Sequence, residues 1–345
     1  MANYTTINKS TDYFNTSTWT ATTSAISNLN FSPDWVWIKS TDSGNGHILF
    51  DTIRGANIRL STAVNSEEFT RTDELMSFDS NGYTLGSSGN TNDTNPFNAS
   101  YVGWSWRGSD SSAVSNTDGS ITSTVSANTT SGFSIVSYTG NGSASTIGHG
   151  LGTTPSMIIV KKRSVAGSWY VYHQSIGNTK RLVLDTTSAE TTDANAWNNT
   201  SPTSSVFSVG ASGTTNASGA THIAYCFAEK TGYSKFGSYT GNGNADGTFV
   251  YTGFKPAFVI IKDATNAYEW RIYDNKINSF NSMFEILNPN NNNAQATTSH
   301  GIDFLSNGFK CRGTTTINTS GANQIYMCFA EAPIVGTNNV PCTAR

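Results

Sequence analysis

The chain has 345 residues, a net charge of −3, 12% charged residues and 12% aromatic residues. That aromatic content excludes a disordered chain. With a sequence pI near 5.9 and no basic cluster longer than Lys161-Lys162-Arg163, nucleic acid is excluded as an expected partner. No apolar run reaches the roughly 18 residues of a transmembrane span, and Met1-Ala2-Asn3-Tyr4-Thr5-Thr6 lacks the basic-then-apolar pattern of a signal peptide. The expectation is a soluble chain, made in a cytoplasm and not inserted in a membrane.

In chain order, the first unit (1–108) opens on the aromatic run Tyr13 to Trp19. It continues through Pro33-Asp34-Trp35-Val36-Trp37-Ile38-Lys39 to Asp51, turns at Phe78-Asp79-Ser80-Asn81-Gly82-Tyr83, and ends on Tyr101-Val102-Gly103-Trp104-Ser105-Trp106. A Ser/Thr-rich stretch (109–131) reads as a polar connector, with Thr117-Asp118-Gly119 as a turn signal. The second unit (132–230) carries Phe133 to Tyr138, the turn Thr139-Gly140-Asn141-Gly142, Pro155-Ser156-Met157-Ile158-Ile159-Val160-Lys161, His173 and Ile223 to Glu229. The third (231–333) repeats this with Tyr233 to Tyr239, Thr240-Gly241-Asn242-Gly243, Pro256 to Lys262, Asp274, Phe304 to Phe309 and Ile325 to Glu331. A short tail (334–345) follows.

The spacing makes this a triplication. Asp51, His173 and Asp274 each lie 18 residues beyond the proline of their unit, and Pro33 to Ser105, Pro155 to Cys226 and Pro256 to Cys328 span 72, 71 and 72 residues. Three units of about 100 residues are each large enough to own a core. Val102, Trp104 and Trp106 alternate with Tyr101, Gly103 and Ser105, so one face is core. The proline-to-lysine strands are apolar on both faces, as a central strand requires. Asn-Gly between apolar runs signals a hairpin. No long helical periodicity occurs. The expected fold is all-β: three tandem antiparallel β-sandwiches, for which a jelly roll is one topology. Units used in series usually build extended surface.

Candidate chemistry is sparse. No Gly-x-Ser-x-Gly elbow accompanies His47, His149, His173, His222 or His300. His173 aligns with Asp51 and Asp274, so that position asks for a polar group rather than an imidazole. Glu229 and Glu331 are equivalent, but Gly108 takes their place in the first unit, which argues against a glycosidase pair. Glu67-Glu68 and Asp73-Glu74 read as solvated loops. Cys226, Cys311, Cys328 and Cys342 lack metal or disulfide spacing and read as free, buried small hydrophobes. No metal or cofactor is expected. Of eight tryptophans, only Trp19 and Trp197 lack counterparts in the other units, and Trp197 is the candidate exposed platform for a ligand or partner. Contact loops are sought where the units differ, at 90–98, 193–203 and 288–295.

The run Gly148-His149-Gly150-Leu151-Gly152-Thr153-Thr154-Pro155 leading into Met157 to Lys161 resembles an uncharacterised repeat-domain family of virion structural proteins from marine tailed bacteriophages, including cyanophages. So do the paired Tyr-Thr-Gly-Asn-Gly turns, Phe304-Leu305-Ser306-Asn307-Gly308-Phe309 and the Cys-Phe-Ala-Glu endings. The resemblance covers essentially the whole chain and brings no catalytic residues. It implies a non-enzymatic virion protein on the particle exterior (fibre, tail tip or head decoration) with other virion proteins as partners and a homo-oligomeric state. The rival expectation is a receptor-binding protein that grips host surface polysaccharide, with a polysaccharide depolymerase a third class.

Overall fold

A computed structural model describes residues 5–20, 25–86, 94–95, 99–109 and 111–333. The first unit contains β1 (Phe14–Thr20), β2 (Ala25–Ile26), β3 (Trp35–Ser40), β4 (Ile48–Asp51), β5 (Gly55–Ser61), β6 (Phe69–Thr70), β7 (Leu75–Asp79), β8 (Gly82–Leu85) and β9 (Ser100–Trp106). Next come β10 (Val114–Asn116), β11 (Ser123–Asn128), β12 (Phe133–Thr139), β13 (Ser145–Gly148), β14 (Met157–Lys162), β15 (Trp169–His173), β16 (Lys180–Val183) and β17 (Thr191–Thr192). The second unit then closes with the short helix α1 (Ala194–Trp197), β18 (Val206–Val209) and β19 (Thr221–Phe227). The third contains β20 (Ser234–Thr240), β21 (Phe249–Tyr251), β22 (Phe254–Asp263), β23 (Arg271–Asp274), β24 (Met283–Ile286), β25 (Ala296–Leu305), β26 (Gly308–Arg312) and β27 (Asn323–Pro333).

The three units share one plan. The large sheets run β1-β9-β3-β4, β12-β19-β14-β15 and β20-β27-β22-β23, so the last strand of each unit always lies between its first strand and its proline strand. A smaller sheet covers one face: β2-β8-β7, β13-β18 and β21-β26-β25-β24. All named strand pairs are antiparallel, and the fold is an all-β sandwich repeated three times.

The proline strands are apolar on both faces because the large sheets are buried on both faces. Val36 and Ile38, Ile158 and Val160, and Val259 and Ile261 point outward into three separate cores under the small sheets. Trp35 and Trp37, Met157 and Ile159, and Phe258 and Ile260 point inward into one core that all three units share. At its centre the equivalent residues Trp106, Phe227 and Phe329 form a triangle. Ring centroids are 6.4, 6.2 and 5.7 Å apart at interplanar angles of 68°, 65° and 70°, the edge-to-face arrangement that aromatic quadrupoles favour. The units are therefore not strung out in series. They close around a pseudo-threefold axis within one chain.

Two further expectations change. Residues 109–131 are not a plain connector: β10 and β11 extend the second unit's large sheet to eight strands. β11 also ties that sheet to the first unit, through Ser126 Oγ to Asp34 and Asn128 Nδ2 to the Gly108 carbonyl. The Asn-Gly hairpins exist, but with Ser80-Asn81 and Ser306-Asn307 as the loops. Gly82 and Gly308 are needed for close approach, since a Cβ there would sit 1.6 Å from the Ile26 carbonyl oxygen and 2.0 Å from that of Val250. The tail 334–345, with Cys342, lies outside the described residues; Cys226, Cys311 and Cys328 are free and buried.

Candidate functional site

The repeated polar positions converge on the three joints of the ring. At the first joint, Asp51 accepts from the Tyr225 hydroxyl at 2.8 Å and pairs with Arg54 at 2.6 Å. Burial opposes the Arg54 charge, but Asp51 more than offsets this and holds its pKa above the ordinary value. At the second joint, His173 Nε2 lies 3.2 Å from the Tyr326 carbonyl, which fixes the proton on that nitrogen, while Nδ1 accepts from the Ser175 amide. Burial lowers the His173 pKa to about 4, so the ring is neutral. At the third joint, Asp274 accepts from Thr16 Oγ1 at 2.8 Å and Trp104 Nε1 at 3.0 Å. Burial raises the Asp274 pKa to about 6.

One residue type survives in all three units at the strand ends: Lys39, Lys161 and Lys262, all buried. Each ammonium donates to carbonyls of its own turn and to one from the adjoining unit: Asn292 for Lys39, Asn65 for Lys161 and Thr187 for Lys262. An ammonium has three donors for carbonyls that burial would otherwise orphan. Burial lowers Lys161 and Lys262 to about 8. Backbone bonds complete each joint, from the amides of Glu68, Glu190 and Gln295 to the carbonyls of Arg163, Ala264 and Thr41, at 2.9, 2.8 and 2.7 Å.

A second fixed set is Asn95, Asn216 and Asn318, all buried. The Asn216 and Asn318 amides clamp the Gly-Asn-Gly turns through Asn141 and Asn242 and reach Gly210 and Gly313; Asn95 reaches Gly86. Unlike the position of Asp51, His173 and Asp274, these lysine and asparagine positions keep one residue type in all three units. Their offsets of 62, 61 and 62 residues from the prolines were a legible signal for the asparagines.

Trp197 is not an exposed platform. It is 2% exposed, ends α1, and packs edge-on against Tyr172 beneath the second unit's small sheet. Asp193 caps that short helix through the Asn195 amide, and the turn tucks the indole inward. Trp19 does have counterparts: it stands opposite Tyr101 as Tyr138 stands opposite His222 and Tyr239 opposite Gln324. Two acidic pairs are also less solvated than expected. The Glu74 carboxylate is fully buried against Arg59 at 2.5 Å, and Glu68 bridges to Arg163 of the second unit at 2.7 Å. Glu229 and Glu331 pair with Lys235 and Lys255. Of the proposed contact loops, 288–295 seals the third unit to the first through Pro289, Asn292 and Gln295. Loop 193–203 holds α1, and most of 90–98 lies outside the described residues. Among the described residues, no three His, Cys, Asp or Glu side chains gather as a metal site, and no helix is long and apolar enough to cross a membrane.

The units differ on the outer face of the small sheet. Where paired positions hold Ala25 and Thr84 in the first unit and Thr146 and Ser208 in the second, the third has Phe249 and Lys310. Phe249 and Tyr251 are 44% and 60% exposed. Lys310 pairs with Asp246 at 2.6 Å, and Arg312 pairs with Asp303 at 2.6 Å and Asp246 at 3.2 Å. A cavity of about 640 Å³ opens beside them, lined by Phe284, Arg312, Ser282, Thr297, Ser299 and Thr314.

These features define a class: an all-β chain of three two-sheet units closed into a ring by polar joints. Residues 9–333 match the family described as Domain of unknown function (DUF7483), and the chain belongs to it. No curated protein and no solved structure matches.

Proposed function

We propose that this is a non-enzymatic structural protein on the exterior of a tailed-phage particle, as a fibre, tail-tip or head-decoration component. The observation that carries the reading is the ring itself. Buried Asp, His and Lys side chains, groups that catalysis would recruit, are engaged in holding the units together. Fully satisfied buried networks rigidify a fold, and rigidity with a polar, weakly charged exterior suits a particle component. Other virion proteins are the partners this reading requires. A homo-oligomer would join rings that are already closed, since three units in one chain supply the pseudo-threefold. Quantitative mass spectrometry and immunogold labelling of purified particles test it. A fixed copy number and a surface location are expected; absence from the particle refutes it.

A second reading, binding of host surface polysaccharide, is favoured by the aromatic and ion-paired outer face of the third unit's small sheet. Depolymerase activity is the outcome that would displace both. Release of oligosaccharides from host polysaccharide, abolished by Glu229→Gln, would show it.

A further inference from the structure

We propose that the outer face of the third unit's small sheet is a binding groove for a neutral oligosaccharide, running across the sheet from Tyr251 to Phe284; this rests on the glycan-binding reading above. The sheet order β21-β26-β25-β24 puts Phe249 and Tyr251 on one edge strand and Phe284 on the other. Three strand spacings separate these edges by about 14 Å, room for a short oligosaccharide. Glycines in the inner strands let the rings settle low: a Cβ on Gly308 would meet Phe249 at 3.1 Å, and one on Gly301 would meet Phe284 at 2.6 Å. Apolar ring surface at each end thus flanks a polar floor of Lys310, Arg312 and Asp303. A sugar ring has the matching chemistry, with C–H faces for aromatic rings and hydroxyls that both donate and accept.

Charge decides the ligand's sign. Lys310 and Arg312 face Asp246 and Asp303, so two cations meet two carboxylates and the floor is neutral overall. A polyanion would gain from the cations only by displacing their partners. A neutral polyol accepts from the guanidinium and ammonium and donates to the carboxylates without breaking either pair. Hydroxyl-bearing residues Ser282, Thr297, Ser299 and Thr314 line the adjoining cavity and extend this polar surface. An uncharged ligand in a groove with fixed polar partners is recognised by hydrogen bonding and stacking.

Isothermal titration of the full chain with maltohexaose, cellohexaose, mannohexaose and a galactan oligosaccharide, with heparin as the polyanion, tests the groove. Binding of at least one neutral member is expected, with heparin weaker. Tyr251→Ala and Phe249→Ala should each weaken it at least about tenfold and leave the melting temperature unchanged, since both side chains are exposed. Failure of every neutral member, or a preference for heparin, overturns the proposal. Neutral-glycan binding that survives both substitutions overturns this groove while leaving the glycan-binding reading intact. The particle-location experiment is independent of all these outcomes.

Discussion

The second and third joints of the ring use one structural position and opposite acid–base chemistry. Where the second unit meets the third, His173 is neutral and bonded to a backbone carbonyl. Where the third closes onto the first, Asp274 is surrounded by uncharged donors. Burial acts on both and disfavours the charged form in both, which lowers the imidazole and raises the carboxyl. The position demands a hydrogen-bonding group that can be desolvated. The residue is free to vary as long as the partner varies with it.

Breaking the core that both joints share should have the largest effect. Trp106→Ala removes one corner of the central aromatic triangle and should cost about 3–5 kcal/mol from lost transfer energy plus a cavity. Denaturant melts measure this, and wild-type stability in the variant would refute a shared core.

Titration separates the joints. The folded pKa of Asp274, about 6, lies above its ordinary value of 3.8, so its contribution is complete below 3.8 and is lost as pH rises through 6. About two pKa units correspond to about 3 kcal/mol. Asp274→Asn should therefore gain stability relative to wild type between pH 4 and 6; a difference constant with pH would show that the carboxyl titrates normally. His173 has the opposite sign. Its folded pKa of about 4 lies below the ordinary 6.5, so its contribution is complete above 6.5 and is lost as pH falls toward 4, again by about 3 kcal/mol. Relative to His173→Gln, the wild type should weaken over that interval, and a flat difference between the two would place the imidazole in solvent.

The smallest effect belongs to the first joint's outer rim. Glu68 and Arg163 are partly exposed, so Glu68→Gln should cost no more than about 1 kcal/mol, and less in high salt. A loss as large as that from Trp106→Ala would mean that the rim, rather than the aromatic core, holds the joint.

Much of the unit was legible in the sequence, because its anchors lie within about 70 residues of each other and report burial directly. The two-sided apolar strands Trp35 to Ile38 and Phe258 to Ile261 showed that both faces were covered. They could not show that one cover was the other two units. The joints escaped notice because each pairs residues remote in sequence, as Asp274 does with Thr16 and Trp104. Trp19 looks unmatched in the sequence because its equivalents, Tyr138 and Tyr239, keep the aromatic ring and change the residue. The burial of Trp197 is not legible in the sequence because a single helical turn capped by Asp193 turns the indole of an Asn-rich stretch inward. The third unit's outer face is not legible in the sequence because Phe249 and Tyr251 lie on one strand and Lys310 and Arg312 on another, about 60 residues on, and they become neighbours only across the sheet.

The aromatic triangle has a consequence for assembly. Trp106, Phe227 and Phe329 meet through apolar ring contacts, so the centre by itself says little about the order of the units. The seams say more. Asp51 is matched by the Tyr225 hydroxyl, Asp274 by the Trp104 indole and His173 by a carbonyl, and a unit placed out of turn would bury an acceptor with no donor opposite. Chemical divergence after triplication thus acts as an address written into the chain. It sets the one order in which the three units close.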